Sequence, residues 1–545
     1  AAGLDEQDTD GLLQQGVDLV SAYTLPRADV RDLAIDTAGA LWVATDQGLV
    51  IGDGQGTWYT LGATDGLPYA DVRGVVAGPD GSLWAWFGRG VGRLHEGRWI
   101  LFSTPRWLPS EAVRALVVDD DGSVWVETDM GTAHIYSEAM TLAQKAAHYE
   151  DQVAARHERQ GYVAGCHLSR PGDVGSAVWR AEDNDGLWTA MYLAAESYRY
   201  AVTGKTEARE RAQRSMQALL FLEAVTPISG FPARAVVFDG EPVLRSDPER
   251  GEWHRFALPD GRSGQWKGDT SSDEIVGHVY GLSIYHDLVA DEGDKKAIAA
   301  TLERIADHIV DRGYYLVDLD GKPTTWGIWA PQDLNGDLFR MGDRGLNSLE
   351  ILALLRTTHH ITGEARFLQS YHELIATHGY ALNVIDQRHD VPGHVNHSDD
   401  ELAFLSYDPL LRYEDDPALR ALYLRGLERA WQLERAERCP LWNVIYGALT
   451  GRHCDADAAT AALAEIPLDL VYYAIDQTGR LDVTERAYPD RHRHPQADRP
   501  LSWLERPLMK WNGNPYNLRG GDGSSEEAGT FWLLPYWMGR YHGLV

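Results

Sequence analysis

The apolar positions of this chain change period once. In the first 136 residues they alternate within short runs, and the runs recur: "VRDLAIDTAGALWVAT" from Val30, "VRGVVAGPDGSLWAWF" from Val72 and "VRALVVDDDGSVWVET" from Val113. The spacing is 42 and then 41 residues, and Trp42, Trp84 and Trp125 keep one phase. Each unit predicts a strand, a turn rich in Asp and Gly, a second strand, and further strand such as "GTWYTL" or "GRWILF".

From about residue 138 the spacing becomes helical. It predicts twelve helices, at 138–159, 184–203, 207–225, 272–290, 294–312, 344–362, 365–380, 399–414, 417–436, 441–450, 456–466 and 525–541. These pair into six hairpins. Tight turns such as "TGKTE" and "EDDP" close one end, while the other end carries long connections at 226–271, 313–343, 381–398 and 467–524, with 437–440 the short one. Long connections in a compact domain are usually functional. "YYLVDLDGKPTTWG" and "GEWHRFALPDG" predict β-hairpins decorating that end.

The N-terminal units resemble the two-component-regulator type of β-propeller repeat. Propellers usually close with four to eight blades, so three imply an open arc whose edge is covered by the other domain or by a second copy of the chain. The helical part resembles the (α/α) six-hairpin toroid of glycoside hydrolases and polysaccharide lyases. The expected fold is therefore multidomain: a partial β-propeller of three blades over residues 1–137, then an all-α (α/α)6 toroid with β-hairpin insertions, the catalytic domain, over 138–545.

Composition narrows the partners. A formal net charge of −31 argues against nucleic acid, whose phosphates call for Lys and Arg, and against anionic membrane surfaces. No apolar run is long enough to predict a membrane span. Three cysteines make no disulfide framework, and without a C-x-x-C pair a thiolate zinc site is not expected. The chain starts "AAGLDEQ", which suggests a processed secretory protein, periplasmic or secreted.

Six inner helices begin after the connections, at "DNDGLWTA", "TSSDEIVGH", "GDRGLNSLE", "HSDDELAF", "CPLWNVIYG" and "GSSEEAGTF". In a toroid these starts would surround one pocket. Ser271/Glu274, Ser398/Glu401 and Ser524/Glu527 each fit the capping box S-x-x-E, which accounts for the three glutamates structurally. The acids beside them, Asp273, Asp400 and Glu526, are left for general acid and base work, the pair of carboxyls that glycosidic cleavage requires. His278, four residues beyond Glu274, and His397 are the expected proton-transfer partners. No cofactor is required, but His394 and His397 with Asp399 or Asp400 could hold a divalent metal.

Substrate contacts are expected from Arg234, Trp266 and Lys267, from Trp329, Arg344, Asn347 and Asn396, and from Trp511, Asn514 and Tyr516 in "MKWNGNPYNLRGGDGSSEE". Trp beside Asn in a Gly-rich loop suits an oligo- or polysaccharide. The expected activity is that of a carbohydrate-active enzyme cleaving a glycosidic bond, with hydrolysis favoured. Alternatives are β-elimination at a uronic acid by a His or Tyr base, for which Tyr280 is a candidate, a metal-dependent enzyme on a non-sugar substrate, and a non-catalytic binding protein.

Overall fold

The computed structural model describes residues 29–52, 57–387, 395–507 and 510–545. Its chain divides into two compact units. The first takes residues up to Met140 together with Val471–Leu508 and Pro515–Gly523; the second takes Thr141–Leu470, Met509–Asn514 and Ser524–Val545. The 467–524 connection, which the helical pattern assigns to the toroid, is thus shared between the two.

In the first unit the repeats are antiparallel meanders. Val30–Ile35, Leu41–Thr45, Gly48–Gly52 and Trp58–Leu61 form one four-stranded sheet, and Val72–Ala77, Leu83–Phe87, Val91–His95 and Arg98–Phe102 a second. Val113–Val118, Val124–Thr128 and Gly131–Ile135 form a third, of three strands. Strand order follows the chain because each turn is short. The repeated Trp has a local reason. Trp42 donates its indole N–H to Asp36 at 2.9 Å and Trp125 donates to Asp119 at 3.0 Å, so the tryptophan ties down the preceding turn. The second repeat has Gly78 at that register, and there Arg93 lies over the Trp84 ring at 5.6 Å. One apolar cluster (Trp42, Leu49, Val75, Leu83, Phe87) joins the first two meanders, and another (Trp84, Phe102, Val113, Leu116, Val124) joins the second and third. Residues from 471 onward complete this unit: Leu481 N–H donates to Pro68 O at 2.8 Å, and buried Glu505 accepts from Leu101 N–H at 2.8 Å and from Arg480 at 2.9 Å.

Among its described residues the second unit carries twelve long helices: α1 (Leu142–Gln152), α2 (Asp185–Thr203), α3 (Thr206–Ala224), α4 (Ser272–Leu288), α5 (Glu292–Asp311), α6 (Arg344–Thr362), α7 (Ala365–His378), α8 (His397–Tyr413), α9 (Pro417–Glu434), α10 (Pro440–Thr450), α11 (Ala456–Glu465) and α12 (Thr530–His542). Helices α2, α4, α6, α8, α10 and α12 each pack on the next, and α12 returns to α2, closing a ring. The other six lie against its outside. Burial follows from the pattern of side chains. Helix α4 is buried from Glu274 to Tyr285 without interruption, whereas α5 buries one stripe, Ile298, Leu302, Ile305, Ala306 and Ile309. A helix apolar on all sides belongs inside, and an amphipathic one outside. Among the described residues no helix is long and apolar enough to cross a membrane.

Close approach of α4 to α2 depends on two glycines one turn apart. A Cβ on Gly277 would stand 2.8 Å from Leu187 Cα, and one on Gly281 2.8 Å from Ala190 O. Since backbone cannot yield as a side-chain tip does, Gly277→Ala is expected to destabilise by about 1–3 kcal/mol. A urea midpoint unchanged by the substitution would show that the helices separate freely.

Strand formation moves two of the predicted helix limits. The first helix stops at Gln152, passes through a wide turn at Val153–His157 and ends in the short strand Glu158–Arg159. The last begins at Thr530 instead of 525, because Ser525–Glu526 is a strand paired with Cys166–Leu168. The two predicted hairpins are present, Tyr315–Val317 with Pro323–Ile328, and Trp253–Ala257 with Ser263–Lys267.

Candidate active site

The starts of α2, α4 and α8, a residue within α6, and the segments at 510–512 and 527 bring acids together at one mouth of the ring. Asp273, in the first turn of α4, is half-buried. It accepts hydrogen bonds from Ser271 Oγ at 2.7 Å and from Asn184 Nδ2 at 3.2 Å. Arg234 donates to Asn184 Oδ1 at 3.0 Å and to Asp183 O at 2.7 Å, which steadies the amide that holds Asp273. Asp399, in the first turn of α8, is also half-buried and accepts from Asn396 Nδ2 at 2.6 Å. Helices α4 and α8 are in direct contact, so the two aspartates stand at neighbouring helix starts.

Beneath them lie fully buried glutamates. Glu350 of α6 takes the Trp329 indole N–H at 2.8 Å on one oxygen, and the other oxygen has no hydrogen-bond partner. Burial pushes its carboxyl up to about 8; the Trp329 bond pulls against this, and the charges of Asp273 and Asp399 add to it. Glu401 of α8 accepts from the Trp511 indole, and burial also raises it to about 8, with Trp511 and Lys510 opposing and Asp273 reinforcing. Burial raises Asp273 as well, against the Ser271 hydrogen bond and Arg234. The fields of Asp273 and Asp399 thus meet at Glu350. At neutral pH the mouth holds buried carboxyls that keep their protons beneath half-buried aspartates.

On the same rim Lys510 pairs with Glu527 at 3.3 Å and sits 4.2 Å from the centre of the half-buried Trp188 ring. Burial opposes the lysine's charge, but Glu527, Glu182 and Glu401 outweigh it and raise its pKa.

A raised buried carboxyl costs stability as pH rises. Glu350 would ionise near its ordinary value of 4.5 in the unfolded chain and near 8 in the fold. Its burial is therefore harmless below about pH 4.5 and destabilises progressively above it. Glu350→Gln keeps an acceptor for Trp329 and removes the charge. It should be on the order of 1–3 kcal/mol more stable than the parent at pH 8–9, with little difference at pH 5. Thermal midpoints at the two pH values measure it, and a parent as stable as the variant at the higher pH would contradict the burial of that charge.

Other residues singled out by sequence lie elsewhere. His278 is buried with its ring nitrogens 2.6 Å from Glu274 O and 3.1 Å from Leu219 O, so it is engaged with backbone. Tyr280 is buried further along α4, where Tyr198, Asp408 and Arg412 act on it. Glu526 is held by Arg156 Nε and Nη2 at 2.7 and 2.8 Å and by Gln152 at 2.8 Å. Asp400 is buried 3.7 Å from His397 Nδ1, with Glu437 at 3.6 Å from the same nitrogen. His397 therefore groups with Asp400 and Glu434, not with Asp399; His394 lies outside the described residues.

Lys267 is fully buried and pairs with Asp183 and Glu252. Trp266 is buried against His254 and Phe231. Arg344 donates to Leu334 O at 2.9 Å and Asn347 to Ile328 O at 2.8 Å, both supporting the loop that carries Trp329. Asn514 is half-buried in the second unit, while Tyr516 belongs to the first unit, under the guanidinium of Arg486.

Of the three capping boxes only Ser271/Glu274 forms. Helix α8 starts at His397, so Asn396 becomes its N-cap and Ser398 falls inside the first turn, which frees Glu401 for Trp511. Glu527 precedes α12 by three residues and turns to Lys510. The sequence reading thus missed Glu401 and Glu527 as site residues by explaining them as caps. It passed over Glu350, whose one signal is a lone acid inside the apolar run "LNSLEILALL".

No family model matches the chain, and no curated protein matches it in sequence. Solved structures similar to it include a glycoside hydrolase family 76 mannosidase from Bacteroides thetaiotaomicron, 9% identical over 74% of this chain and 98% of that one, with a TM-score of 0.39. A sugar epimerase from a ruminal bacterium is 11% identical, over 73% of this chain and 98% of that one, at 0.38. Cellobiose 2-epimerase from Spirochaeta thermophila is 14% identical, over 73% and 97%, at 0.36. Likenesses this distant say nothing about the chemistry.

Proposed function

We propose that the ring of helices is a carbohydrate-active enzyme that hydrolyses a glycosidic bond at this mouth. The observation that supports it is the placement of Asp273 and Asp399, half-buried at neighbouring helix starts, over Glu350, whose pKa burial raises and both aspartates raise further. Asp273, raised by burial, is the proton donor to the leaving oxygen. Asp399 is the base or nucleophile on the other side of the anomeric carbon. Glu350 and Glu401 stay protonated beneath the mouth, so it does not accumulate every possible negative charge. Trp188, braced by Lys510, is the platform for a sugar ring. The N-terminal meanders are an open arc of propeller blades that serves as scaffold, and the protein works outside the cytoplasm on an oligo- or polysaccharide.

Hydrolysis is favoured over elimination because among the described residues no His or Tyr base accompanies these acids, His278 being engaged by backbone carbonyls. The test is a panel of neutral and acidic glycans scored for new reducing ends and for the absorbance of unsaturated uronic acids. New reducing ends alone are expected. Unsaturated product would replace hydrolysis with elimination, and tight binding without product would make the protein a binding module.

A further inference from the structure

Behind the mouth lies a second cluster that the proposed reaction does not use. Strand Ser525–Glu526 pairs with Cys166–Leu168, with Cys166 opposite Glu526. Neighbouring residues of an extended segment face opposite ways: Glu527 turns to Lys510, and Glu526 turns to His157 and Cys166.

His157 Nδ1 donates to Ala164 O at 2.9 Å, which leaves Nε2 with its lone pair. That nitrogen is buried, makes no hydrogen bond, and stands 3.4 Å from Glu526 Oε2. Cys166 Sγ is 3.7 Å from the same oxygen. All three candidate ligand atoms lie within 4.8 Å of one another. When the ring is neutral, its Nε2 lone pair faces Glu526 Oε2, which also accepts from Arg156 Nε at 2.7 Å, in a dry interior, an arrangement that suits a cation, a proton or a metal ion, between them.

We propose that His157, Cys166 and Glu526 bind one divalent cation of the zinc class. Thiolate, imidazole and carboxylate together suit zinc. The carbonyl of Ala164 orients the imidazole, and Arg156 with Gln152 orients the carboxylate, the outer support that metal ligands ordinarily have. Coordination releases the Cys166 thiol proton to solvent, and the resulting thiolate and the Glu526 carboxylate, which also pairs with Arg156, offset the dication in part. The cation would fix the strand that sets Glu527 beside Lys510, a structural role separate from the acid/base pair.

The full chain is stripped with chelator, dialysed, and reloaded with zinc or cobalt(II). One tightly held ion per chain is expected, and the cobalt form should show a thiolate-to-metal charge-transfer band. Cys166→Ser should abolish that band and His157→Ala should weaken metal retention at least tenfold. His397→Ala, in the separate buried group of His397, Asp400 and Glu434, should leave the band unchanged. Zinc-edge absorption spectra of the unaltered protein should show a sulfur ligand at about 2.3 Å, and this reading does not depend on any variant folding. A zinc shell without sulfur, a band that survives Cys166→Ser, or no retained ion overturns the proposal.

Discussion

Asp273→Asn is expected to lower kcat/KM on a natural glycan by about 10²–10⁴, the usual worth of a positioned general acid. Substrates with a good leaving group should be spared, because their departing oxygen needs little protonation. Asp399→Asn should lose a similar factor on both substrate types. Added azide should restore turnover in that variant if Asp399 activates water or attacks the sugar itself. These contrasts follow from geometry: both side chains reach the mouth, both are held by amide donors, and both act on Glu350. Asp400→Asn is the control, since that side chain is buried beside His397. If Asp273→Asn and Asp399→Asn both turn over like the parent, the acid/base assignment is wrong.

The largest stability loss is expected from Arg156→Met, measured on metal-free protein. Arg156 grips Glu526 through two parallel hydrogen bonds, and Glu526 is almost fully buried. Removing the guanidinium leaves that carboxylate to Gln152, the Cys166 thiol and the adjacent His157 ring. Breaking a buried pair from one side costs about 3–5 kcal/mol. The pH dependence has a definite sign. His157, Arg156 and Gln152 outweigh burial and hold the Glu526 pKa far below its ordinary value. The stability this contributes is present above the ordinary glutamate range and is lost only as pH falls through the depressed value. In Arg156→Met, already less stable at neutral pH, that loss should be smaller and complete at a higher pH. An acid-unfolding midpoint that does not move would show that Arg156 is not what keeps Glu526 charged.

Much of the fold was legible because periodicity is a local property. The helix predicted at 344–362 has those limits in the structure, and 184–203 differs by one residue. The errors fall where a long-range partner competes with local preference. The run before α12 carries good helix formers, yet pairing with Cys166–Leu168 draws 525–526 into a strand and delays the helix to Thr530. The helix containing Asp399 and Asp400 starts two residues earlier than predicted, with Asn396 as its cap. Each residue of shift turns a side chain by about 100°, so such small changes decide which acid faces the mouth.

The sequence alone determined the three phased repeats, the twelve helices, the asymmetric connections and the place of Asp273 at an inner helix start, because each depends on residues near one another in the chain. Tertiary structure decided which carboxyls meet. Only closure of the ring sets α4, α6 and α8 side by side, so that Asp399 replaces Asp400 at the mouth and Glu350 comes to lie beneath two aspartates. Only strand pairing turns Glu526 away, to Arg156, His157 and Cys166. The physical reason is common to both: an acid's role depends on its burial and on the charges around it, and those are supplied by distant parts of the chain.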